Sequence, residues 1–272
     1  MLWSQTDLVE ATAGDLLGDW GNDGVTGISI DSRTIKTNEL FVAIKGNRDG
    51  HNFINDAIKL GAKAALVDHI PMEISTNTPL VLVSCVQEAL ENLAKHRRKR
   101  SQAKLVAITG SVGKTSSKNM LKTILELQGK THAAPASFNN YLGVPLTLAN
   151  LPMDATYAVV EIGMNKPGEI EPLAKMTSAD VVFITAIAEA HLVAFGDIAE
   201  IANEKAQIVK GLKRNGIAVL NAGTPCYEIL KKQTIENGNQ FVSFGGASSD
   251  IKAKKVQNLN GNIKNNLNAR GL

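Results

Sequence analysis

The stretch from Leu105 to Leu127, LVAITGSVGKTSSKNMLKTILEL, constrains the fold of this 272-residue chain more than any other. Its first four residues are apolar and predict a short buried strand, and from Ser117 onward apolar residues recur at helical spacing. A glycine turn separates the strand from the helix. This order predicts a phosphate-binding loop, because backbone N–H groups and the positive end of the helix dipole then face the same anion.

The turn also carries the side chains that a nucleotide with Mg²⁺ needs. Lys114 is predicted to reach the terminal phosphates, and the Thr115 hydroxyl is predicted to bind Mg²⁺. The loop is a shortened variant, because Ile108 stands where the usual pattern has its first glycine and the earlier glycine here is Gly110. The alternative is a tight turn with a solvated lysine. The predicted ATP-binding residues of the loop are Thr109, Gly110, Ser111, Val112, Gly113, Lys114, Thr115 and Ser116.

The composition predicts a soluble globular protein and gives no sign of a nucleic-acid partner. The formal net charge is +3, but five of the 29 basic residues lie after Asp250. The rest of the chain has 24 basic and 26 acidic residues, so it is slightly acidic and its charge gives no indication of nucleic-acid binding. Cys85 and Cys226 form no CxxC pair, which favours reduced thiols in a cytosolic protein. The N-terminus does not resemble a signal peptide, and no apolar run approaches the roughly 20 residues of a membrane helix. We therefore expect a cytoplasmic protein without membrane insertion, and separately we expect a monomer.

Hydrophobic periodicity divides the chain into three regions and predicts an α/β fold. Residues 1–101 have the short strands and helices of a small α/β domain, with a first helix over Thr6–Leu17. Residues 102–250 alternate strands with helices, including one over Ile198–Leu212, which predicts a mostly parallel, doubly wound ATPase domain. Residues 251–272 form an Asn- and Lys-rich tail that is too polar to build a third core.

Three polar residues of the second domain are candidates for a shared site at one edge of its sheet. Glu161 ends a predicted strand, where a buried carboxylate is costly unless it is paired or binds a metal. Because the carboxyl ends of parallel strands meet at one edge, Glu161 and Thr115 could face the same Mg²⁺; a structural ion pair is the alternative. His191 follows the next strand and is predicted to join the site, the alternative being a structural histidine. Lys205 lies on or beside the apolar face of its helix, where the sequence alone favours a snorkelling lysine.

These stretches, taken together, resemble the Mur ligases, which are ATP-dependent amino-acid-adding enzymes of peptidoglycan synthesis. The resemblance extends over nearly the whole chain, to about residue 250. The motifs that carry it are DSR at Asp31–Arg33, ELFVAIKG at Glu39–Gly46, DGHNFI at Asp49–Ile54, TGSVGKTSSKNM at Thr109–Met120, FNNYLGVPLTL at Phe138–Leu148, EIGMNKPGEI at Glu161–Ile170 and EAHLVAFGDI at Glu189–Ile198.

The resemblance implies roles for individual residues. Those implied to contact a UDP-N-acetylmuramoyl peptide are Ser32, Arg33, Asp49 and His51 in the first domain, and Asn139 and Asn140 between the domains. The two asparagines could instead serve only as turn residues. The implied Mg²⁺ ligands are Thr115, Glu161, His191 and, as a carbamate, Lys205; the implied catalytic residues are Lys114, Lys205 and His191; and Asn221 is implied to lie near the adenine.

The reaction that the resemblance implies joins D-alanyl-D-alanine to a UDP-N-acetylmuramoyl tripeptide. The tripeptide carboxylate attacks the γ-phosphate of ATP, and the incoming amine then displaces phosphate from the acyl phosphate. Both steps gather negative charge, which Lys114 and Mg²⁺ would stabilise. The family's third, C-terminal domain is expected to be missing from these residues. The alternatives are therefore an ATP-binding remnant without ligase activity, another Mur-type ligase, or a folylpolyglutamate-type synthetase.

Overall fold

The computed structural model describes residues 1–190, 194–259 and 262–269 of the chain. The helices are α1 (Gln5–Thr12), α2 (Ile54–Lys59), α3 (Val86–Arg100), α4 (Lys114–Glu126), α5 (Gly143–Ala149), α6 (Ile170–Thr177), α7 (Ile198–Ala206) and α8 (Tyr227–Glu236). The strands are β1 (Asp15–Leu17), β2 (Ile28–Ser29), β3 (Leu40–Val42), β4 (Ala64–Val67), β5 (Leu80–Leu82), β6 (Lys104–Thr109), β7 (Thr131–Ala133), β8 (Tyr157–Glu161), β9 (Ala179–Ile184), β10 (Leu212–Asn221), β11 (Gln240–Phe244), β12 (Ile251–Leu259) and β13 (Asn262–Ala269).

The first of two compact units comprises residues 1–102 together with 142–155. Its five-stranded sheet has the order β1-β5-β4-β3-β2, in which β1 is antiparallel to β5 and the other neighbours are parallel. The sequence places residues 142–155 in the second domain, whereas the structure groups them with the first unit. Helix α5 is the reason: all its residues are buried, so it needs neighbours on every side, and it finds one of them in α3.

The second unit comprises residues 103–141 and 156–272 and contains an eight-stranded sheet. The strand order is β13-β12-β11-β10-β9-β6-β8-β7, and only the β12–β13 pair is antiparallel. Strand β6, which leads into the glycine loop, lies between β9 and β8. Parallel strands joined by helices confirm the predicted α/β class with its P-loop domain.

Several element boundaries differ from the sequence prediction. Helix α1 ends at Thr12, because Ala13 adopts a left-handed conformation (φ 52°), and the expected helical continuation becomes β1. The predicted helix over 198–212 is α7 followed by a 3-10 helix at Gln207–Gly211. The polar tail, for which the sequence predicts no third core, contributes β12 and β13 to the edge of the second sheet. In the described chain no helix has the length and apolar character that crossing a membrane requires.

Candidate nucleotide and metal site

The glycine loop connects β6, which ends at Thr109, to α4, which begins at Lys114. Gly113 caps the helix with a φ of +83°, and Gly110 has a φ of +152°. A Cβ at position 110 would lie 1.9 Å from Thr185 Oγ1. Gly113 is therefore required for its backbone conformation. Gly110 is required both for its backbone conformation and because a Cβ there would collide with Thr185.

Residues that follow β9 hold this loop in place. The Thr185 hydroxyl donates to the carbonyl of Val112 at 2.6 Å. The Ser111 hydroxyl donates to the carbonyl of Ala188 at 2.9 Å and accepts from the N–H of Ala188 at 3.0 Å. The shape of the loop is thus fixed by the neighbouring strand end as well as by its own glycines.

Lys114 is the cation of the loop. Its ammonium donates to the carbonyl of Gly110 at 2.8 Å, which keeps the side chain folded over the turn. Burial lowers the pKa of Lys114, and the nearby Glu161 carboxylate acts in the opposite direction. The structure therefore holds a positive charge where the loop's N–H groups and the start of α4 favour an anion.

A carboxylate lies next to the loop and is almost fully hydrogen bonded. Glu161, which is 3% exposed, accepts from the Thr115 hydroxyl at 2.8 Å through Oε2. Its other oxygen, Oε1, accepts from Ser137 Oγ at 2.9 Å and from Asn139 Nδ2 at 2.8 Å. No ion pair joins Glu161 to another described residue, so the structural ion pair considered from the sequence is not what holds this carboxylate.

The oxygen atoms of Thr115 and Glu161 suit Mg²⁺. This ion prefers hard oxygen ligands at about 2.1 Å in an octahedral arrangement, so two adjacent ligands lie about 3 Å apart. The observed separation of 2.8 Å between Thr115 Oγ1 and Glu161 Oε2 is close to that value. His191, the predicted imidazole ligand of the site, lies outside the described residues.

Lys205 lies on α7 with its side chain buried, at 1% exposure. Burial, together with repulsion from Lys114, lowers the pKa of Lys205 to about 8, while Glu204 acts in the opposite direction. A snorkelling lysine would extend its ammonium into water, which this exposure contradicts. Lys205 is thus a buried amine within electrostatic range of the loop cation.

The remaining predicted nucleotide residues have varied surroundings. Asn221 donates to the carbonyl of Thr185 at 2.6 Å and accepts from the N–H of Gly223 at 2.9 Å, so it ties the end of β10 to the end of β9. Thr109 is fully buried beneath the loop, and its hydroxyl has no hydrogen-bond partner among the described residues. Ser116 is exposed on the first turn of α4, and Asn140 is exposed beside the half-buried Asn139.

The predicted substrate residues of the first unit follow β2 and β3, which are parallel, so they lie at one edge of the first sheet. Arg33 is exposed and forms a two-point ion pair with Asp31 at 2.9 and 2.7 Å, which lowers the pKa of that carboxyl; the adjacent Ser32 is half-buried. His51 is buried, and Asp49 contacts its Nδ1 at 2.7 Å. Hydrogen bonds from His51 lower the pKa of Asp49.

Sequence reasoning missed three residues of the second-unit site. Thr185 and Ser137 act through hydrogen bonds to segments distant in sequence, and no local pattern identifies them. Lys118 is fully buried and contacts the segment that carries Ser137. Its position four residues after Lys114, on the same helix face, was an available signal.

Two family profiles match the chain: "Mur ligase family, catalytic domain" at residues 24–101 and "Mur ligase middle domain" at residues 108–268. A UDP-N-acetylmuramoyl-tripeptide--D-alanyl-D-alanine ligase of Rickettsia prowazekii is 41% identical over 233 residues, covering 84% of this chain and 51% of the relative. A crystal structure of MurF from Acinetobacter baumannii superposes with a TM-score of 0.87 at 31% identity, covering 98% of this chain and 58% of that one.

A crystal structure of MurF ligase from Thermotoga maritima in complex with ADP is also similar, with a TM-score of 0.73 at 27% identity, over 89% of this chain and 56% of that one. The chain spans about half the length of the curated relatives it matches. The family profiles, the curated relatives and the solved structures all agree with the resemblance seen in the motifs. The chain belongs to the Mur ligase family.

Proposed function

We propose that the chain carries the ATP site and the UDP-substrate site of a ligase that joins D-alanyl-D-alanine to UDP-N-acetylmuramoyl tripeptide. One observation carries the proposal. A glycine loop with a half-buried lysine lies next to a carboxylate that accepts a hydrogen bond from the following threonine, in a chain 41% identical to such a ligase of Rickettsia prowazekii. ADP is bound by the related Thermotoga maritima protein, which supports a nucleotide at this loop.

In the proposed first step, an oxygen of the tripeptide carboxylate attacks the γ-phosphorus of ATP and ADP leaves, giving an acyl phosphate. The amine of D-alanyl-D-alanine then attacks the acyl carbon, and phosphate leaves as the amide forms. Lys114 would bind the terminal phosphates through its ammonium, and the N–H groups of the loop would bind them through hydrogen bonds. Thr115 and Glu161 would hold Mg²⁺, which offsets phosphate charge when bound.

Lys205 is proposed to act as a carbamate. Only the neutral amine adds to CO₂, releasing one proton and leaving an anion on the side chain. The lowered pKa of about 8 raises the neutral fraction of Lys205 near neutral pH compared with an ordinary lysine. The resulting anion would remove the repulsion between Lys205 and Lys114 and supply a further oxygen ligand for Mg²⁺.

The UDP end of the substrate is proposed to bind at the edge of the first sheet where Ser32, Arg33, Asp49 and His51 lie. Arg33 offers an exposed guanidinium, which suits a diphosphate. Asn139, which already bonds to Glu161, and Asn140 are proposed to contact the peptide part. We further propose that the protein acts as a cytoplasmic monomer; its two cysteines are free thiols, as a reducing compartment favours.

A phosphate-release assay with ATP, Mg²⁺, UDP-N-acetylmuramoyl tripeptide and D-alanyl-D-alanine tests the proposal. We expect release that requires both the tripeptide and the dipeptide. ATP binding without turnover would instead favour the alternative of an ATP-binding remnant without ligase activity. A parallel reaction with a folate substrate distinguishes the folylpolyglutamate-type alternative, because only that activity would respond to folate.

A further inference from the structure

A fully buried lysine lies beneath the proposed metal site. Lys118 is 0% exposed, and among the described residues of α4 it is the one buried side chain. Its ammonium donates to the carbonyls of Ala134 and Ala136, both at 2.8 Å. Burying a charged group costs free energy unless it is hydrogen bonded, and an apolar side chain could fill the same volume. We therefore expect that the hydrogen bonds donated by the Lys118 ammonium have a role that an apolar side chain could not fill.

The segment that Lys118 holds also carries the hydrogen-bond donors of the carboxylate. Residues 134–140 lie beyond β7 and belong to no helix or strand. Ser137 and Asn139, within this segment, both donate to Glu161 Oε1. Two carbonyl contacts from one ammonium, at positions two residues apart, fix the path of the backbone just before Ser137. The orientation of Glu161 thus depends on where Lys118 places this segment.

The same helix supports the other side of the carboxylate. Thr115, three residues before Lys118 and therefore on the same face of α4, donates to Glu161 Oε2. Burial lowers the pKa of Lys118, and the Glu161 carboxylate opposes that change, which indicates that the two charges lie within electrostatic range. One helix therefore reaches both oxygens of Glu161, directly through Thr115 and indirectly through Lys118.

We propose that Lys118 is a positioning residue for the metal-binding carboxylate Glu161, acting through Ser137 and Asn139. This inference rests on the proposed function, because it assumes that Glu161 and Thr115 bind Mg²⁺ with a nucleotide. Groups that orient metal ligands typically change metal affinity by about 10- to 100-fold when they are removed. Loss of Lys118 is therefore expected to weaken Mg²⁺ binding while leaving the nucleotide contacts of the loop in place.

The test compares ADP binding with and without Mg²⁺ by calorimetry, using the 272-residue chain. Lys118→Met keeps the length and removes the donors; we expect a loss of about 10- to 100-fold in Mg²⁺ affinity and unchanged ADP affinity in the presence of a chelator. The matched control is Lys122→Met, one turn further along α4, where the lysine side chain is 42% accessible and pairs with Glu126 at 3.4 Å. That control should retain the wild-type Mg²⁺ dependence.

A double-mutant cycle distinguishes positioning from a general loss of stability. If Lys118 acts through Asn139, adding Lys118→Met to Asn139→Ala should lower Mg²⁺ affinity much less than it does in the wild type. Lys118→Gln, which retains one amide donor, should show an intermediate loss. Failure of both Lys118 variants to fold would assign the residue to fold stability alone and overturn the proposal.

The outcomes separate this inference from the proposed function. Wild-type protein whose ADP affinity rises with Mg²⁺, together with a Lys118→Met variant that retains the same rise, would overturn the role of Lys118 and leave the nucleotide site standing. An equal loss of ADP affinity with and without Mg²⁺ in the variant would also overturn it. Wild-type protein that binds no ADP under either condition would overturn the proposed function and this inference together.

Discussion

Replacing Lys205 by methionine is predicted to stabilise the protein at neutral pH. The pKa of Lys205 falls from 10.5 to about 8 in the folded state. Each pKa unit corresponds to about 1.4 kcal/mol, so holding the charged form in the interior costs about 3 kcal/mol. The side chain is 1% exposed, so solvent screens little of this cost. Methionine has a similar length and no charge, and it should therefore recover most of that free energy.

The sign of the pH dependence follows from the lowered pKa. Below pH 8 the lysine is charged in both states and the full cost is present. Between about pH 8 and 10.5 the unfolded chain binds more protons than the folded one, so the unfolding free energy of the wild type rises with pH. The advantage of Lys205→Met should therefore be about 3 kcal/mol at pH 7 and below about 1 kcal/mol near pH 10.

Urea unfolding between pH 7 and 10 in CO₂-free buffer measures this difference. Lys232→Met is the matched control, because Lys232 is an exposed helical lysine whose side chain is 73% accessible. Its effect should stay within about 0.5 kcal/mol and show no trend with pH. A Lys205→Met variant that is no more stable than the wild type at pH 7, or whose advantage does not change with pH, would refute the assignment of a buried, charge-destabilised lysine.

Two further predictions concern the glycine loop. Lys114→Ala should abolish ATP binding measured by calorimetry without unfolding the protein, because its half-buried ammonium is the loop's cation; undiminished ATP affinity would contradict the nucleotide site. Gly110→Ala should lower the unfolding free energy by about 1–3 kcal/mol, because the new Cβ meets Thr185 Oγ1 and the φ is positive. Gly46→Ala, with no atom within 4 Å of the new Cβ, is the control; equal melting temperatures for the two variants would argue against a tightly clamped loop.

Local signals in the sequence were sufficient to predict the strand–glycine loop–helix segment and the fold class. The apolar strand β6, the glycines and the helix α4 are consecutive, so the interactions that form the loop come from one short segment of sequence. Glu161 could be placed beside Thr115 from topology alone, because parallel strands bring their carboxyl ends to one edge. The hydrogen bond of 2.8 Å between them agrees with that placement, and their binding of one Mg²⁺ stays a prediction.

Features that depend on distant packing could not be predicted. Nothing local indicates that α5 joins the first unit, since its mostly apolar sequence predicts only that the helix is buried. Helical spacing suggested a buried apolar face on α4, yet Met120 and Ile124 are exposed and Lys118 is buried instead. Hydrophobic periodicity predicts which residues share a face of a helix. Which of those faces is buried depends on the tertiary packing of the helix, here on the order of strands in the sheet.

The origin of the oxygen atoms in released phosphate tests the central claim most directly. The UDP-N-acetylmuramoyl tripeptide is labelled with ¹⁸O in its reacting carboxylate and incubated with the protein, ATP, Mg²⁺ and D-alanyl-D-alanine, and the phosphate is analysed by mass spectrometry. If the carboxylate attacks the γ-phosphorus and the amine then displaces phosphate, one labelled oxygen leaves with each phosphate. Phosphate without the label would show that water attacks ATP, and would contradict a ligase that works through an acyl phosphate.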